Sequence, residues 1–235
     1  MTVVVVDSST IISCAINCII WVFEDLSQKG IKFIVPKSVK KEVIDNGLNS
    51  KRFKYEALRV LAYFTDNIFE VREDDIKKET SEILSYANSS FYIKNNPLKI
   101  LQEADAEVIA LAKKINADMI LTDERTLRLL LENPAEIKDF LHRKFKADIK
   151  VSDSSLMNFK RTAGQMDISR SVELVALAYS LDIFNETKAK CELGDVKNCE
   201  KELIEGLMYA LKFSGCSISF EEINDYINLL LKVKT

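Results

Sequence analysis

Apolar residues follow two alternating rhythms over the first two thirds of the chain. Short runs at Val3 to Val6, Ile31 to Val35, Ile68 to Val71, Met119 to Thr122 and Ala147 to Val151 have the length and composition of strands. Between them apolar residues return every three or four positions, the spacing of one helix face. Ile12, Ile16, Ile19, Ile20 and Phe23 predict a helix from Ser9 to Lys29, with Gly30 as its stop. Pro36 ends the second strand, and Ser38 can cap a helix holding Val39, Glu42 and Val43. Leu58, Leu61 and Ala62 mark a helix over 52–66, and another starts at Asp74 or Asp75 and reaches Tyr86. Residues 88–99, with several Asn and Ser and Pro97, predict a loop. Leu101, Ala104, Val108, Leu111 and Ile115 form the next helical stripe, and helices at Glu124 to Leu131 and Ala135 to Arg143 flank Asn133-Pro134.

Strands alternating with helices imply a parallel sheet covered on both faces. After Ser152 the rhythm changes to helical stretches at about 170–191, 196–213 and 219–232. The expected organisation is an α/β domain over 1–151 and a helical C-terminal extension over 152–235.

With 47% hydrophobic and 29% charged residues, the 235-residue chain fits an ordinary globular protein. Its net charge of −3 gives no global signal for nucleic acid, and the acidic excess lies in residues 151–235, so the C-terminal part is not a basic arm. The start lacks the basic flank of a signal peptide, and no apolar run approaches a membrane span. A cytoplasmic protein with no membrane partner is the expectation. The five cysteines form no CxxC pair; Cys14 and Cys18, four apart on one helix face, suit apolar packing. The single histidine, His142, lies in a basic surface-like stretch. A His/Cys zinc site and a Ser-His-Asp triad are both disfavoured.

Four acids stand at equivalent points of the α/β pattern. Asp7 and Asp123 each follow a predicted strand, Glu42 lies early in a crossover helix, and Asp105 opens another. In an open parallel sheet, strand ends and helix starts share the carboxyl edge, where ligands bind. Topology would therefore gather the four. Close carboxylates resist joint ionisation unless a cation is present. Oxygen donors favour Mg²⁺ or Mn²⁺, which activate water and offset phosphate charge. The chain has no glycine-rich phosphate loop, which argues against kinase or NTPase chemistry.

The order and context of these acids resemble the PIN-domain nucleases. The matching stretches are Val5-Val6-Asp7-Ser8-Ser9, Val35-Pro36 through Lys41-Glu42-Val43, Ala104-Asp105-Ala106 through Ala110-Leu111-Ala112, and Ile120-Leu121-Thr122-Asp123-Glu124. The resemblance implies a three-layer α/β/α sandwich around a parallel sheet. It implies Mg²⁺- or Mn²⁺-dependent hydrolysis of single-stranded RNA, with Asp7, Glu42, Asp105 and Asp123 as metal ligands, directly or through water. Ser8, Ser9 and Thr122 match positions where small polar residues are frequent. Glu103, Glu107 and Glu124 are further acids that solvated helix surface explains equally well.

The small toxin members of the family lack a helical extension of this length. Residues 152–235 could pack on the core, mediate a homodimer or gate the substrate groove, and a protein inhibitor or regulatory partner stays open beside RNA. Lys94, Lys99, Arg125 and Arg128 are candidate phosphate contacts, and Phe91 and Tyr92 candidate stacking residues. Two other readings compete. One is a non-catalytic PIN-like scaffold binding RNA or protein. The other is a haloacid-dehalogenase-type phosphatase, which would carry a second Asp where this chain has Ser9.

Overall fold

A computed structural model describes residues 1–233. Its strands are β1 (Thr2–Val6), β2 (Ile31–Pro36), β3 (Phe69–Arg72), β4 (Phe91–Ile93), β5 (Asn96–Pro97), β6 (Met119–Leu121), β7 (Ile149–Val151) and β8 (Asp167–Ser169). Five of them form a sheet of order β3-β2-β1-β6-β8 in which every neighbouring pair is parallel. Helices join and cover these strands, giving the expected PIN-like α/β/α fold with further helices at the C-terminal end. The middle strands are apolar because both faces are covered: Val4, Val5, Val6, Phe33, Ile34, Val35, Ile120 and Leu121 are all buried.

The helix predicted from Ser9 to Lys29 is broken in two. It forms Ser8–Ile16 and Val22–Gln28, with Cys18 between them in the left-handed region at φ 58°. The break lets each piece bury its own face. Ile11 and Cys14 serve the first, while Val22, Phe23 and Leu26 serve the second. Phe23 meets Phe33 and Phe69 edge to face, both with centroids 4.8 Å away. Cys18 is exposed, so the expected shared packing of Cys14 and Cys18 holds for Cys14 alone.

Two departures concern strands. The Asn/Ser-rich stretch holds the short hairpin β4-β5, turned at Lys94 with φ 56° and anchored by the fully buried Phe91. β7, expected to extend the parallel sheet, instead pairs antiparallel with β4 in a separate three-stranded sheet. The fifth strand of the main sheet is β8, which comes from the stretch expected to be helical. Three residues at a sheet edge carry too short a pattern to be recognised. The expected division at 151/152 falls between β7 and the helix Asp153–Ala163.

The remaining C-terminal elements are the helices Ser171–Ser180, Asn185–Leu193, Cys199–Phe213 and Phe220–Val233. A disulfide that the spacing did not suggest joins Cys191 to Cys199 across the turn between two of them, with Cα atoms 6.0 Å apart. Arg170 ties this region together, bonding Glu173, the Ser217 carbonyl and Glu222. Among the described residues, no helix is long and apolar enough to cross a membrane.

Candidate active site

The chain runs from β1 outward to β2 and β3, then returns to β6 and β8 on the other side. The strand order therefore reverses between β1 and β6. A crevice opens at such a reversal beyond the carboxyl ends of the strands. Asp7 stands at that point, one residue past β1.

Asp7 caps the helix Ser8–Ile16 and is held from several sides. Its carboxylate accepts bonds from the Ser8 amide at 2.8 Å, the Ser9 hydroxyl at 2.5 Å and the Thr122 hydroxyl at 2.9 Å. The matched serines and threonine thus position this acid. Asp7 is 2% exposed, and burial raises its pKa against the opposing hydrogen bonds.

A cavity of about 630 Å³ opens over Asp7, and Glu42 and Asp105 line it as well. Glu42 sits in a π-turn, Lys41–Asn46, within the helical stretch after β2. It reaches the cavity mouth, where partial burial and the Asp7 charge raise its pKa and a hydrogen bond with Ser8 opposes the rise. Asp105 lies in the first turn of the helix Glu103–Lys114 and accepts a bond from the Gln102 amide at 2.8 Å. Burial, then the charges of Asp7, Glu124 and Glu42, push its carboxyl up to about 7 against that bond. Three of the four predicted acids therefore share one cavity.

Asp123 does not line it. Both its oxygens accept bonds from Ser171, one from the amide and one from the hydroxyl, each at 2.8 Å. Strand register explains the separation. Val6 pairs with Leu121, so Asp7 is level with Thr122, and Asp123 lies one residue farther along. Side chains on paired strands alternate faces together, which puts Thr122 beside Asp7 and Asp123 on the other side. Leu121 also pairs with Ser169, and that register continued brings Asp123 level with Ser171. The next residue, Glu124, returns to the cavity and caps the helix Arg125–Glu132 through the Thr126 amide. Sequence leaves Glu124 unassigned between site and solvated surface; alternation past the strand end is the signal for its position.

Lys99 and Lys144 also line the acidic cavity. A neighbouring cavity of about 1120 Å³ shares Glu42 and carries Lys37, Lys40 and Lys41. Lys99 was expected near this edge and lies at it, while Lys144 arrives on the helix Pro134–Phe145 through packing that no local pattern announces. Three of the other candidates are engaged within the protein. Phe91 is fully buried in the core, where it cannot stack on a base. Arg125 lies over the Phe140 ring and Arg128 pairs with Glu132.

The acids facing the cavity offer carboxylate oxygens, joined by the hydroxyls of Ser8 and Ser9, a donor set that suits Mg²⁺ or Mn²⁺. They stand around the wall rather than at one point: among the described residues, no three of His, Cys, Asp and Glu are arranged to hold an ion between them. The site fits a hard cation in the kind of donor it offers.

A family model described as a PIN domain matches residues 3–134, a span that includes Asp7, Glu42, Asp105, Asp123 and Glu124. No curated protein matches the chain, and no solved structure does.

Proposed function

The chain belongs to a PIN-domain family, and from that premise we propose that it is a metal-dependent ribonuclease that hydrolyses phosphodiester bonds of single-stranded RNA. One observation carries the reading. Asp7, Glu42, Asp105 and Glu124 reach a single cavity at the point where the strand order reverses. Asp7, Glu42 and Asp105 would hold Mg²⁺ or Mn²⁺, with Glu124 as the fourth carboxylate at the cavity. A cation held there would supply an activated water and offset charge on the phosphate.

The protein's own groups prepare that chemistry. The hydroxyls of Ser9 and Thr122 and the Ser8 amide fix the orientation of Asp7. Asp105 takes up a proton near neutrality in the absence of a cation, which relieves repulsion among the acids. Lys99 and Lys144 attract the RNA backbone to a cavity that is otherwise negative.

The test is cleavage of labelled single-stranded RNA with Mn²⁺, with and without EDTA, beside Asp7→Asn. Chelation and the substitution should each abolish cleavage. Equal cleavage by Asp7→Asn would sink the assignment. A second reading, a non-catalytic scaffold that binds RNA or protein, draws on the dispersed placement of the carboxylates. RNA binding without cleavage of RNA or DNA would favour it.

A further inference from the structure

The helix Pro134–Phe145 turns one face to the acidic cavity. Leu141, Lys144 and Phe145, spaced three and four apart, all line it. The stripe runs from inside to outside. Leu141 is buried, whereas 45% of Phe145 remains exposed. Core packing does not explain a ring left that open. A lone exposed apolar side chain is ordinary on a protein surface. This one lines a cavity whose other walls are largely charged and polar groups.

The ring is held in place and flanked by cations. Phe145 is the last residue of its helix, which Lys146 ends in the left-handed region at φ 51°. His142 Nδ1 lies 2.8 Å from the Ala147 carbonyl and fastens the turn. Beyond it, Ile149 is buried and pairs with Ile93. The Lys144 ammonium sits over two rings, 5.6 Å from the centroid of Phe140 and 5.8 Å from that of Phe145. The Arg125 guanidinium lies over Phe140 at 4.9 Å. Cations interleaved with aromatic rings suit single-stranded nucleic acid, where charge tracks the backbone and rings take bases.

We propose that Phe145 is a base-stacking platform at the lip of the acidic cavity, holding an unpaired base of the substrate RNA beside the acids. The exposed part of the ring is the surface that a base would cover. The cavity, at about 630 Å³, lies within the roughly 300–1,000 Å³ of sites that hold a whole small ligand, so it has room for a nucleotide. Stacking suits this place because it needs no charge. The acids repel phosphate until a cation is bound, and a ring-to-base contact adds affinity that does not depend on that balance. Every base has a π-face, so the contact sets the register of the strand rather than the identity of the base. The inference rests on the single-stranded RNA reading above.

Binding in EDTA reads the contact without cleavage. The probes are a labelled uridine octamer and a labelled octamer of abasic ribose phosphates, followed by fluorescence anisotropy. The second keeps the backbone charge and lacks the bases. Phe145→Leu keeps an apolar side chain and removes the ring. It should weaken binding of the uridine octamer at least about fivefold and leave binding of the abasic octamer unchanged. Phe145→Trp, which keeps a ring, should bind the uridine octamer as the parent does. The dependence of affinity on salt should be the same in Phe145→Leu as in the parent, since a stacked base releases no counterions. No loss with leucine, an equal loss on both octamers, tryptophan as weak as leucine, a reduced salt dependence, or no binding of the uridine octamer would each overturn the proposal. Cleavage with Mn²⁺ distinguishes the two readings. Cleavage by a protein whose octamer binding ignores the ring removes the platform and keeps the nuclease. Ring-dependent binding without cleavage keeps the platform and removes the nuclease.

Discussion

Asp123 gives both carboxylate oxygens to Ser171, at the start of a helix 48 residues later in the chain. Its amide in turn donates to the Ser9 hydroxyl oxygen at 3.0 Å, and the same hydroxyl donates to Asp7. Replacing Asp123 should therefore act first on stability. Asparagine keeps one acceptor and turns an NH₂ toward a donor, which costs about 1–3 kcal/mol in a buried pair. The urea midpoint of Asp123→Asn should fall with an unchanged slope. Glu124→Gln, at an exposed position, should stay within about 0.5 kcal/mol of the parent and lower Mn²⁺-dependent cleavage. The opposite pattern would favour Asp123 as a metal ligand.

Asp105 gives a pH prediction at the same scale. Its folded pKa of about 7 lies above the ordinary value of 3.8. Between those values the native state holds a proton that the unfolded chain has released. Stability therefore falls as pH rises from about 4 to about 7 and then levels. Asp7 and Glu42 are shifted in the same direction. Melting temperature in EDTA should decline over this range, less steeply in Asp105→Asn. Because ligand carboxylates must lose their protons, the rise in melting temperature on adding Mn²⁺ should grow from pH 6 to pH 8. A metal effect independent of pH would count against Asp105 as a ligand.

At the scale of elements, β8 decides how the C-terminal stretch relates to the rest. It covers the edge of β6, and the Thr122 amide extends that ladder by bonding the Ser169 carbonyl at 2.8 Å. An uncovered β6 would present unpaired backbone groups along a short, apolar edge, a template for aggregation. Residues 1–151 expressed alone should be insoluble or lack a cooperative melt, while the full chain should melt in one transition. A soluble, cooperatively folding 1–151 fragment would show that the sheet does not depend on β8. Local sequence made β1, β2, β3 and β6 legible because each is an apolar run with clear stops. β8, the β4-β5 hairpin and the break at Cys18 were not legible. Their conformations come from what they pack against, Phe91 in the core being the plainest case.

For the whole molecule, charge arrangement matters more than net charge. The sum is −3, yet Lys37, Lys40, Lys41, Lys99 and Lys144 border the two cavities that meet at Glu42. The neighbouring cavity also carries Asp45, Glu73, Glu103 and Glu107, and Lys37 pairs with Glu73. That leaves Lys40 and Lys41 on one side and Lys99 and Lys144 on the other as the cations for a strand crossing the acidic centre. Removing Lys41 and Lys144 together should weaken binding of RNA octamers regardless of base. It should also reduce the slope of log affinity against log salt by roughly 0.7 per lost phosphate contact. An unchanged slope would place the RNA elsewhere.

The sequence by itself determined the fold class and the positions of Asp7, Glu42 and Asp105 at one edge. Strand ends and crossover helix starts fall on the same side of a parallel sheet whatever the packing details. Tertiary structure decided which face each side chain takes, because that depends on strand register. One step beyond β6 separates Thr122 beside Asp7, Asp123 beneath Ser171, and Glu124 at the cavity. It also decided which distant groups arrive. Ser171, Lys144 and Phe145 are brought in by packing between elements far apart in the chain, which no local pattern encodes.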